Sequence, residues 1–237
     1  MIPLMKTGTA TRRESGVDSD PGPAVPKPVG SVRRNDPDAT RANILEVATR
    51  EFAENGLDGA RVDEIADKTR TSKRMIYYYF QNKEGLYEAV LEKAYAAIRA
   101  READLQLDEL PPERALRKLV EWTVDYDDAN PHFFRLVSIE NINYARCLLR
   151  SKSIRQFNRS ATEQLERILE RGYRSGVFRT RVDPTDLHMM ISSLSAFRVS
   201  NRYTFGAIFD VDFSDPAVRK RHRKLIGETI LSLVTNG

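Results

Sequence analysis

The prolines of this chain constrain its fold more than any other feature. Beyond residue 37 they occur only at Pro111, Pro112, Pro131, Pro184 and Pro216. Each site heads a segment whose apolar residues recur at helical spacing. Proline is tolerated in a helix only in its first turn, so these positions mark starts. Asn130-Pro131, Asp183-Pro184 and Asp215-Pro216 each pair a capping side chain with such a start. No segment alternates apolar and polar residues as a half-buried strand does. The expectation is an all-α fold of about nine helices.

The first helix is expected from Asp38, a plausible cap, to Asn55-Gly56, with Ile44, Leu45, Ala48, Phe52 and Ala53 on one face. A short helix fits Val62 to Lys68. After a turn at Thr69–Thr71, Ser72 caps another short helix that ends at Phe80. A long helix over 83–103 follows, with Leu86, Val90, Ala94 and Ile98 in period. Further helices are expected over 112–128, 131–149, 153–175, 184–203 and 216–235. Residues 1–37 are rich in Pro, Gly and Ser without apolar periodicity, and read as a disordered tail. The organisation is therefore a tail (1–37), a helical N-terminal domain (38–98) and a helical C-terminal domain (99–237).

Several classes drop out on composition. Hydrophobic residues make up 41% and charged residues 30% of the 237. No apolar run approaches the ~18 residues of a membrane span, and the N-terminus lacks the apolar core of a signal peptide. A single cysteine, Cys147, excludes an intramolecular disulfide and a cysteine-based zinc cluster. A cytoplasmic protein is expected. His132, His188 and His222 are scattered and lack partners at metal-ligand spacing, so neither a metal site nor catalysis is expected. Cys147, beside Leu148 and Leu149, reads as a small core filler.

The net charge of +4 is a weak argument for any partner, but its placement is informative. Lys68, Arg70, Lys73, Arg74 and Lys83 lie in a stretch without Asp or Glu. In the helix from Ser72, Ile76 and Phe80 share a face that buries, while Arg74 and Tyr78 project opposite. Three consecutive tyrosines, Tyr77 to Tyr79, cannot all face inward. Arg and Lys donate to guanine edges in the major groove, and Tyr and Lys bind phosphate oxygens. Two short helices joined by a tight turn, with this surface, point to a helix-turn-helix.

Residues 38–98 resemble the DNA-binding domain of the TetR family of regulators. The matching words are Ile44-Leu45, Ala48, Phe52-Ala53-Glu54-Asn55-Gly56, then Ile65-Ala66-Asp67, then Ser72 through Phe80, then Asn82-Lys83-Glu84-Gly85-Leu86. Two positions depart from the pattern. Thr69-Arg70-Thr71 stands where the family has Ala-Gly-Val, which asks Arg70 to adopt a conformation easier for glycine. Arg61 stands where a Thr or Ser caps the second helix, leaving a phosphate contact as its role.

The resemblance implies base contacts from Lys73, Arg74, Met75 and Tyr78, and backbone contacts from Thr71, Ser72, Tyr77, Tyr79 and Lys83. It further implies a homodimer on a palindromic double-stranded operator, a small-molecule effector in the C-terminal domain, and no cofactor. The last two helices would form the dimer interface through Leu187, Met190, Ile191, Leu194, Leu225, Ile226, Ile230 and Leu233. Aromatic and polar residues of the middle helices are pocket candidates: Trp122, Tyr126, Phe133, Phe134, Arg135, Glu140, Asn141, Asn143, Phe197, Arg198 and Asn201. Each also fits ordinary core or a solvated face. The tail arginines, Arg12, Arg13, Arg33 and Arg34, fit either an arm along the DNA or a solvated linker. Repression is favoured on family grounds alone. The rival reading is a helical interaction protein or nonspecific DNA binder without ligand response.

Overall fold

The computed structural model describes residues 36–236. The tail and its arginines lie outside the described residues. Among those described there are ten α-helices, one 3-10 turn at Leu107–Glu109 and no strand. The helices are α1 (Pro37–Gly59), α2 (Val62–Thr69), α3 (Lys73–Phe80), α4 (Lys83–Ala103), α5 (Pro112–Ala129), α6 (Pro131–Ile142), α7 (Lys152–Arg174), α8 (Pro184–Ser200), α9 (Arg202–Phe209) and α10 (Pro216–Thr235). None is long and apolar enough to cross a membrane.

Three details correct the sequence expectation. Asp36, not Asp38, caps α1, its carboxylate accepting the N–H groups of Asp38 and Ala39 at 3.0 and 3.1 Å. Pro37 holds the first helical position, so the cap stands immediately before it. Next, α6 stops at Ile142 rather than Leu149. The buried Glu140 carboxylate accepts the N–H groups of Cys147 and Leu148 at 3.1 and 3.2 Å, and Tyr144 and Ala145 turn the chain with φ of 57° and 56°. Finally, the helix expected to reach Tyr203 ends at Ser200, and α9 is a tenth helix. It folds back because Phe205 stacks against Phe197, Phe209 and Phe213, with centroids 5.4, 4.4 and 5.7 Å away.

Two apolar clusters hold the chain. The first joins α1–α4 through Ile44, Phe52, Ile65, Ile76, Phe80 and Tyr87, and also takes in Leu136, Cys147 and Ile154. The second joins α5, α7, α8 and α10 through Leu116, Val120, Ile168, Leu187, Ile191 and Ile230. The expected boundary at 98/99 falls inside α4, which crosses it as continuous helix.

Much of the apolar stripe expected to face a second subunit is this subunit's own core. Leu187, Ile191, Ile226 and Ile230 are buried within the chain. The apolar residues that remain exposed on these helices are Met189, Leu194, Phe197 and Leu225, joined by Tyr203, Ile208 and Phe209 of α9.

Candidate nucleic-acid interface and C-terminal cavity

Four local devices set the angle of α3. The buried Glu51 on α1 accepts the N–H of Arg61 at 3.3 Å, and its carboxylate also pairs with Lys68 Nζ at 3.0 Å. Arg61 makes no side-chain cap, so Glu51 ties down the start of α2 from outside it. Burial opposes ionisation of Glu51, yet Lys68 and the Arg61 N–H hold its carboxyl below the ordinary range. At the other end of α2, Arg70 takes the left-handed conformation (φ 53°, ψ 37°), as the loss of glycine there demanded. Thr71 N–H then reaches Ala66 O at 3.0 Å, closing a Schellman turn.

Ser72 Oγ accepts Met75 N–H at 3.1 Å, the expected cap of α3. Past Phe80, Asn82 caps α4 by accepting Gly85 N–H at 2.7 Å. A Cβ on Gly85 would stand 2.2 Å from Phe80 O, so only glycine lets α4 approach the end of α3 this closely.

On this mount, Ile76 and Phe80 are buried and the opposite face of α3 is open. Ser72, Lys73, Arg74, Tyr77 and Tyr78 are exposed, Tyr78 at 79%. Met75, Thr71 and Lys83 are half-buried, and Tyr79 packs partly against the core. Arg61 and Arg70 are exposed beside them. Lys73 Nζ lies 3.1 Å from the Asp63 carboxylate, and Lys83 Nζ donates to Asp58 O at 3.0 Å. Arg74 makes no hydrogen bond or ion pair with another described residue. The result is one surface of cations and phenols that no element among the described residues covers.

The C-terminal half contains a cavity of about 410 Å³ between α4, α5, α6, α7 and α8. Of the expected pocket residues it collects Trp122, Phe133, Phe134 and Asn141. The others do not line it. Tyr126 stacks on Trp122 at 5.1 Å but faces a shallower depression with His132 and Leu136. Arg135 and Asn143 are exposed, and Phe197 is half-exposed on the outer face of α8. Glu140 is consumed in closing the turn after α6. Asn201 sits at the α8–α9 break.

Arg198 is buried elsewhere, in a cluster that joins α5, α8 and α10. Its guanidinium lies 2.9 Å from the Asp128 carboxylate and 2.6 Å from His222 Nδ1. Arg219 and Arg202 complete the shell of Asp128 at 3.4 and 3.9 Å. Burial, then the charge of Arg198, pushes the His222 imidazole below its ordinary value, so the neutral ring accepts from Arg198.

The cavity's ionisable residues were missed at the sequence level. Tyr95, Ile98, Arg99 and Glu102 follow one face of α4 at spacings of three, four and seven. Two charged residues in an otherwise apolar stripe were the available signal. Arg99 and Glu102 form a nearly buried ion pair. Asp127 is buried, and the one hydrogen bond to its carboxylate among the described residues comes from Ser195 Oγ. Burial drives its carboxyl up to about 7, against the Ser195 bond and with help from the Asp128 charge. Burial, then Arg99, lowers His188, which lines the same space.

Comparison with known proteins gives two family matches. The model described as bacterial regulatory proteins, tetR family, covers residues 44–90. The model described as tetracyclin repressor-like, C-terminal domain, covers residues 112–230. The chain is 38% identical over 184 residues to the HTH-type transcriptional repressor NicS of Pseudomonas putida, covering 78% of this chain and 87% of that one. It is 36% identical over 121 residues to the HTH-type transcriptional repressor SCO4008 of Streptomyces coelicolor, covering 51% of this chain and 59% of that one. Among solved structures, that of the transcriptional regulator SCO4942 from Streptomyces coelicolor superposes with a TM-score of 0.62 at 27% identity, over 80% of this chain and 97% of that one.

Proposed function

Since the chain belongs to the TetR family of DNA-binding transcriptional regulators, which are not enzymes, we propose that it is a cytoplasmic homodimeric repressor released from a palindromic operator when a small molecule fills its C-terminal cavity. The observation that carries the DNA reading is the outward face of α3, held by Ile76 and Phe80 from behind. Lys73, Arg74, Met75 and Tyr78 read bases in the major groove. Arg61, Thr71, Ser72, Tyr77, Tyr79 and Lys83 hold phosphates and fix register. Two α3 helices in a symmetric dimer address half-sites roughly one turn, ~34 Å, apart. The exposed apolar residues of α8 and α10 supply the dimer surface, and the two relatives reported above, both transcriptional repressors, support repression.

Release is a coupling between two sites. Occupation of the cavity shifts α4, whose Tyr95, Arg99 and Glu102 line it and whose first turn abuts α3. That shift alters the separation of the two reading helices.

The test begins with selection of bound sequences from random duplex DNA by the full chain. A two-fold symmetric consensus that outlasts bulk DNA as salt rises supports the reading. Selected and random DNA released at the same salt would instead favour a nonspecific binder.

A further inference from the structure

We propose that the cavity between α4, α5 and α8 takes an organic cation: a protonated amine carried on an aromatic or apolar body. This assignment rests on the reading of the cavity as the effector site. It starts from a charge balance. Arg99 and Glu102 answer one another in their ion pair, and the pair is nearly buried. His188 is held toward its neutral form by burial and by Arg99. Asp127 is left as the one acid of the cavity that no cation among the described residues pairs with directly, Arg99 acting on it only from beyond ion-pair distance. Asp128, next in the chain, turns the other way, and its arginines serve it rather than Asp127. Ser195 donates a single hydrogen bond to the Asp127 carboxylate, which is 2% exposed.

A buried carboxylate lacking a counter-charge is costly, and a ligand ammonium group supplies what the fold omits. The rest of the wall suits such a guest. Trp122, Tyr95, Phe133 and Phe134 line the cavity, and the last three meet edge to face, with centroids 5.2 and 5.4 Å apart. Aromatic faces attract cations and shed neutral water readily. At pH 8, where Asp127 is ionised, an anionic guest would add a third negative charge beside Glu102 and Asp127, against the single charge of Arg99.

Trp122 is the only tryptophan of the chain, so its emission reports occupation of this cavity. The probes are 4-phenylbutylamine, 4-phenylbutanol and 4-phenylbutanoate, titrated at pH 8 into the full-length protein. The amine is expected to bind at least tenfold more tightly than either isostere. Asp127→Asn is expected to erase that preference while changing the alcohol's affinity less than threefold. If the variant does not fold, the ranking of the three probes on the natural chain decides alone. Equal binding of amine and alcohol, or tightest binding of the carboxylate, overturns the cation assignment and leaves the effector site standing. Failure of all three to perturb Trp122 at millimolar concentration counts against the effector site itself, and the cation assignment falls with it.

Discussion

Asp127 and Asp128 are adjacent in sequence, the first buried and the second with its side chain largely covered, yet their carboxylates serve different chemistry. Asp127 meets Ser195 at the cavity wall, and Asp128 lies among Arg198, Arg202 and Arg219 in the cluster that ties α5 to α8 and α10. The last turn of α5 thus touches both the cavity and the helices that carry the exposed apolar residues Met189, Leu194, Phe197 and Leu225.

Asp128→Ala strands Arg198, whose side chain is only 3% exposed, with no carboxylate partner. Breaking a buried pair from one side costs about 3–5 kcal/mol. Chemical denaturation should show the midpoint falling accordingly. An unchanged midpoint would mean that His222 and the Phe213 carbonyl suffice to hold the guanidinium.

Asp127→Asn should stabilise the protein, and more so at high pH. The folded carboxyl titrates at about 7 and the ordinary value is 3.8, so the native state holds a proton that the unfolded state releases. Stability is therefore lost as pH rises from about 4 through 7. Asn cannot ionise and removes that loss. Tyr95, Arg99, Glu102 and His188 in the cavity, with Tyr126 and Asp128 beside it, are the other ionisable groups near this site. Thermal melts should show a gain on the order of 2 kcal/mol larger at pH 8 than at pH 5. A gain independent of pH would place the ionisation elsewhere.

Arg74→Ala should cost roughly 1–3 kcal/mol of operator affinity and relax selection at one base pair of each half-site. Repeating the sequence selection with the variant checks both. A loss spread evenly over all sequences would make Arg74 a phosphate contact.

Arg70→Gly separates strain from binding. Glycine enters the left-handed region freely, and relief at φ 53° should add about 0.5–1 kcal/mol of stability. The lost cation should weaken operator binding and reduce the salt slope by about one. A more stable variant with unaltered salt dependence would confine Arg70 to the turn.

The sequence made the helices legible where local chemistry set them. Pro131, Pro184 and Pro216 began helices as expected, and Ile76 and Phe80 proved buried behind Tyr78. What stayed hidden depended on long-range partners. Glu140 ended α6 by capping a turn seven residues away, and Phe205 drew α9 back onto Phe197. Arg198 looked free for a ligand because Asp128, 70 residues distant, could not be placed beside it. Arg99 and Glu102 went unnoticed for a similar reason, since two charges on a mostly apolar helix face look solvated until α7 packs against them.

The continuity of α4 has a mechanical consequence. Sixteen residues separate Lys83, beside the reading helix, from Arg99 at the cavity, about 24 Å of rigid rod. A pivot of only ~5° about one end sweeps the other through ~2 Å over that length, comparable with the helix shifts that separate functional states. Under the proposed release, guests of quite different outline produce the same stroke at the DNA, because the lever transmits the angle and discards the shape that caused it.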